Sequence, residues 1–169
     1  MSATRTLTKD ISQENRADHP VVQRLQRKVA NAFVLFANYK HYHWQTFGPH
    51  FRDLHLMFGH FAKEVLGTID EMAERIRMIG QDIEHVQLKQ MQDAANVHSS
   101  MPDQTMREMI EEADANSLVV IKDLRDGARI DDESNDPGTV DLFSKIVQIH
   151  EKQEWFLPEL LKKKDGFGS

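Results

Sequence analysis

The sequence predicts an all-α protein, a four-helix bundle with a short extra helix in a long middle crossover. Three observations predict it. Apolar residues recur at alternating steps of three and four through four long stretches, the period of an amphipathic helix. The 169 residues include only 8 Gly and 5 Pro, so few positions can break a helix. No stretch shows the apolar–polar alternation of a half-buried strand.

The elements follow in order. Residues 1–17 are polar without a sustained period and read as a flexible tail. From Pro20 a stripe runs Val22, Leu25, Val29, Ala32, Phe36, Tyr39, His43, and Gly48-Pro49 ends it. A second stripe runs Leu54, Phe58, Phe61, Val65, Ile69, Met72, Ile76, Ile79, with Gly80 as its C-terminal cap. Residues 81–101 are more polar and hold a short helix around Leu88–Asn96. A third stripe, Met106, Ile110, Ala113, Ser117, Val120, Leu124, starts after Ser99, Ser100 and Pro102 and fades at Gly127, leaving Arg129–Gly138 as an acidic turn. Asp136-Pro137 is a good N-cap and first-turn pair for the last helix. Its stripe is Val140, Phe143, Val147, His150, Glu154, Leu157, Leu161. The bundle occupies residues 18–164, and 165–169 form a C-terminal tail. Two hairpins of roughly seven-turn helices joined by a long crossover make the ferritin-like arrangement of such a bundle.

Composition narrows the function. There are 21 Lys+Arg against 27 Asp+Glu, a net charge of −6. That is a poor balance for a nucleic-acid binder, whose footprint is basic. The absence of cysteine excludes disulfides, thiolate zinc sites, iron–sulfur clusters and cysteine nucleophiles. No apolar run approaches the roughly 20 residues of a membrane span, and the first residues lack the apolar region of a signal peptide. The chain reads as cytoplasmic, with no membrane partner.

Five of the nine histidines fall between residues 41 and 60: His41, His43, His50, His55 and His60. The second helix then carries Asp70 and Glu74, four apart and therefore on one face. His55 and Asp70 lie about 60° apart around the helix but about 22 Å apart along it, too far to share a metal within one subunit. Antiparallel packing of two copies across a two-fold axis would bring His43 and His55 of one against Asp70 and Glu74 of the other. Mixed imidazole and carboxylate donors suit iron, zinc or manganese. No Glu is followed by a His three residues later, which argues against a di-iron carboxylate centre inside one bundle.

Tyr42-His43-Trp44-Gln45, Phe51-Arg52-Asp53-Leu54-His55 and Ile69-Asp70-Glu71-Met72-Ala73-Glu74-Arg75 together resemble the Dps family, the mini-ferritins, in residues and in the spacing between blocks. The similarity extends through Trp155, over about residues 20–162. The resemblance implies a hollow dodecamer with ferroxidase sites at two-fold interfaces. There ferrous iron is oxidised, preferably by hydrogen peroxide rather than oxygen, and stored as ferric mineral, limiting oxidative stress. By position, His43, His55, Asp70 and Glu74 would be the metal ligands, for iron or zinc. Trp44 would stand beside the site and intercept oxidising equivalents. Asp132, Asp136 and Asp141 would line an iron pore at a three-fold axis.

One position departs from the family, which usually carries a further carboxylate one turn after the second histidine. Here that residue is Gly59, while the adjacent His60 points about 100° away. The expectation is one tightly held metal per site, a weaker second, and a gain on Gly59→Asp. Two rival readings are a metal-binding cage with impaired ferroxidase activity and a DNA-protecting structural protein. DNA binding is expected to be weak or absent. The N-terminal tail sets Arg5, Lys9 and Arg16 against Asp10, Glu14 and Asp18, leaving only the run Lys162–Lys164.

Overall fold

Each predicted stripe becomes the buried face of a helix. The computed structural model describes residues 20–83, 86–133 and 135–162. Within them α1 spans Pro20–Gln45, α2 Phe51–Met78, α3 Leu88–Ala94, α4 Met106–Glu133 and α5 Pro137–Leu161. The tails expected at 1–17 and 165–169 lie outside the described residues. The four long helices have 26, 28, 28 and 25 residues, the roughly seven turns that the stripes require. α1 packs on α2 and α4 on α5, and α3 rests against α1. Leu25, Leu35, Tyr39, Tyr42, Phe58, Phe61, Phe143 and Leu157 are fully buried between them.

The helix ends explain the boundaries. α2 stops at the predicted Gly80, whose φ of +82° suits a residue without a Cβ. The Gly80 N–H donates to the Arg77 carbonyl at 3.0 Å and the Gln81 N–H to the Ile76 carbonyl at 3.1 Å, a Schellman motif. α4 opens on a capping box that the sequence reading passed over. The Thr105 hydroxyl accepts from the Glu108 N–H at 3.3 Å, and the Glu108 carboxylate accepts from the Thr105 N–H at 2.8 Å.

The far end of α4 corrects the sequence reading. The helix does not fade at Gly127 but runs on to Glu133, so the first half of the expected acidic turn is helical. Gly127 is a close approach rather than a break. A Cβ there would lie 2.7 Å from Lys28 Cε and 2.9 Å from a Phe143 ring carbon. The terminator is Asn135 at φ +56°, and its N–H donates to the Asp132 carbonyl.

Side-chain amides fix the crossover. Buried Asn31 accepts from the Asn96 and Val97 amides at 2.7 and 3.3 Å. Asn38 donates to the His98 carbonyl at 2.7 Å and accepts from the Ser100 N–H at 2.8 Å, and Asn116 also brackets His98. Between α1 and α4, Asp123 receives Arg27 at 2.8 Å, Asn31 at 3.1 Å and the buried Lys28 ammonium at 3.4 Å. Lys28 also lies 4.8 Å above the Phe143 ring.

Candidate metal centre

The short connection after α1 returns the chain so that the last turn of α1 lies beside the first turns of α2. This brings His43 and His55 together, with ring centroids 3.7 Å apart and planes 23° from parallel. The contact is reciprocal. His43 Nδ1 bonds the His55 carbonyl at 2.6 Å, and His55 Nδ1 bonds the His43 carbonyl at 2.8 Å. A carbonyl only accepts, so each Nδ1 carries a proton, and Nε2 is the ring nitrogen left to act as a metal donor. An Nδ1–H held by a backbone carbonyl is the usual support of a metal-binding imidazole. Phe51 stacks on His55 at 5.3 Å, so the rings form a three-layer stack.

Gly59 completes this arrangement in a way its sequence position did not suggest. A Cβ built there would lie 2.9 Å from His43 Nδ1 and 3.0 Å from its Cε1. The expected gain from Gly59→Asp does not survive this contact, because the His43 ring already occupies the space where the new side chain would start. His60 points elsewhere, exposed and paired with Glu64 at 3.2 Å, while Glu64 also accepts from Gln153 at 2.9 Å.

Asp70 and Glu74 are exposed on one face of α2. Their neighbours in the motif are already committed: Glu71 pairs with Lys145 at 2.8 Å, and Arg75 reaches Asp136 at 2.6 Å. Among the described residues of one chain, no three His, Asp or Glu side chains come close enough to hold a metal. The donor types still fit iron or zinc, two imidazole nitrogens and two carboxylates, but in two separate halves. Trp44 is 69% exposed, with Lys40 Nζ 5.0 Å from its ring centre.

The acidic residues assigned to a pore are split. Asp132 and Asp141 are exposed. Asp136 is the N-cap of α5 and accepts from the Thr139 N–H at 3.1 Å, the Thr139 hydroxyl at 2.6 Å and Arg75. Burial pushes its carboxyl upward, but the Thr139 bonds and the Arg75 guanidinium outweigh that and hold its pKa below the ordinary value. Asp131 is fully buried and ion-paired with Arg24.

The four long helices, the extra helix in the crossover and the paired histidines define a ferritin-like protein, and the ferritin-like domain family matches residues 22–166. Within that class the chain belongs to the Dps mini-ferritins. It is 31% identical to DNA protection during starvation protein 1 of Deinococcus radiodurans, over 88% of this chain and 72% of that protein. It is 29% identical to general stress protein 20U of Bacillus subtilis, over 83% and 97%. The crystal structure of Dps from Thermosynechococcus elongatus superposes with a TM-score of 0.85 at 40% identity, covering 96% of this chain and 99% of that one. The family's defining activity is oxidation of Fe(II) and storage of ferric mineral in an oligomeric cage. Membership brings that activity and homo-oligomeric assembly to this chain. No described helix is long and apolar enough to cross a membrane.

Proposed function

We propose that twelve copies of this chain form a cage in which His43 and His55 of one subunit face Asp70 and Glu74 of the partner subunit across a two-fold axis. Ferrous iron is the substrate of that site. The imidazoles bind through Nε2, and the carboxylates supply the negative charge that favours the ferric state. Two ferrous ions each give one electron to hydrogen peroxide, the preferred oxidant, whose O–O bond breaks to leave two hydroxides, and the ferric product passes to the interior as mineral. Zinc competes for the same donors. Trp44, exposed at the end of α1, yields an electron to stray oxidising equivalents in this reading. Asp132 and Asp141 draw iron inward, while Asp136 serves the fold through its cap.

The observation that carries this reading is the reciprocal locking of both Nδ1 atoms on half-buried histidines, with no carboxylate among the described residues of their own chain completing a metal site with them. Co-assembly of two inactive variants tests it. His43→Ala/His55→Ala subunits and Asp70→Ala/Glu74→Ala subunits are each expected to form cages without ferroxidase activity. Random pairing in a one-to-one mixture restores about a quarter of the sites, because each mixed dimer has one intact site. Mixed cages that assemble but stay inactive would refute the shared site.

A further inference from the structure

We infer that Gly59 is the seat of the His43 imidazole and positions it for metal binding. This rests on the reading of His43 and His55 as ligands. In a helix the carbonyl of residue 55 points toward the N–H of residue 59. A ring that bonds the His55 carbonyl from the side must therefore lie against the backbone of residue 59. His43 does so, with Nδ1 2.6 Å from that carbonyl and 2.9 Å from where a Cβ of residue 59 would be. Real Cβ atoms do not approach ring atoms so closely. In this arrangement a Cβ at 59 pushes the His43 ring away from the His55 carbonyl and loosens its stack on His55, whose other face is held by Phe51. Glycine is otherwise costly in the middle of a long helix, so this contact gives a physical reason for it. Position 59 thus trades a carboxylate side chain for an oriented imidazole.

Gly59→Ala tests this in the full-length assembled protein, with Gly67→Ala as control. Gly67 lies on the same helix, and within its own chain an added Cβ there meets nothing within 4 Å. The first readout needs no metal: nitrogen-15 histidine spectra and a crystal structure of the apo cage. Wild type and Gly67→Ala are expected to show both rings as Nδ1–H tautomers on their carbonyls, and Gly59→Ala to lose the His43 bond. The second readout is Co(II) titration, where Gly59→Ala is expected to bind about tenfold more weakly, as when a ligand's supporting contact is removed. Gly59→Asp is expected to weaken binding too, despite its added carboxylate. Retention of both Nδ1 bonds and of wild-type Co(II) affinity in Gly59→Ala would overturn the inference. Failure of wild type to bind Co(II) at His43 and His55 would instead sink the ligand assignment, with the apo comparison still deciding the role of Gly59.

Discussion

Gly67 and Gly127 both lie inside long helices, where alanine is intrinsically better by about 1 kcal/mol. Their surroundings set opposite signs. Gly67→Ala adds a methyl that touches nothing in the chain, and it is expected to raise stability by roughly 0.5–1 kcal/mol. Gly127→Ala drives a methyl into Lys28 and Phe143. Lys28 has little room to give, because it is held between Asp123 and the Phe143 ring. That overpacking is expected to cost about 1–3 kcal/mol net. Urea midpoints of the two variants check both signs, and stabilisation by Gly127→Ala would show that Lys28 can swing aside.

At the scale of elements, the crossover is secured by polar side chains of the long helices rather than by a large core of its own. Among its described residues only Ile79, Met91 and Val97 are buried apolar residues. Asn38→Leu leaves the Ser100 N–H without its side-chain acceptor and the His98 carbonyl with Asn116 as its one side-chain donor among the described residues, and a cost of about 1–3 kcal/mol is expected. Hydrogen exchange should rise in residues 96–101 while the α4–α5 hairpin stays protected. Uniform loosening of the whole bundle would show that the crossover is not a separable unit. The α4–α5 corner works in the same manner. Asn135 ends one helix, Asp136 begins the next, and Arg75 ties the start of α5 to α2 through Asp136 and Thr139.

The whole molecule carries a pH dependence in its centre. His150 is fully buried, its Nδ1 has no hydrogen-bond partner among the described residues, and burial lowers its pKa from 6.5 to about 4. With Lys28 and Asp123 it lines a cavity of about 10 Å³, room for roughly one water. The unfolded chain therefore takes up this proton at higher pH than the folded one. The stability from a neutral His150 is complete above pH 6.5 and is lost as pH falls toward 4, on the order of 3 kcal/mol. His150→Leu is expected to remove that part of the acid sensitivity. Denaturation midpoints of both proteins between pH 7 and pH 4 measure it, and parallel curves would mean that His150 is not the group responsible. Charge acts on the outside as well. The net −6 opposes contact with phosphates, and little or no DNA retardation is expected at about 0.15 M salt. Tight retardation abolished by deleting residues 162–169 would show that the lysine run suffices.

Periodicity, a local property, determined the four helices, their buried faces and the order of two hairpins around a crossover, because each stripe records which side of its own helix leaves water. Helix geometry likewise put Asp70 and Glu74 on one face of α2 and His55 far from them along it, whereas the choice of His43, His55, Asp70 and Glu74 as a set came from the family resemblance. The glycines inside helices were not legible, although Gly80 at a helix end was. In the sequence Gly127 reads as a stop and Gly59 as a missing ligand, since a residue without a side chain says nothing about what fills the space beside it. Lys28 fills it in one case and His43 in the other, each brought from α1 by packing. The same holds for Asp136, whose carboxylate was claimed by Thr139 and Arg75 once α2 and α5 met. Tertiary structure alone decided these, because contacts between distant segments have no period in the sequence.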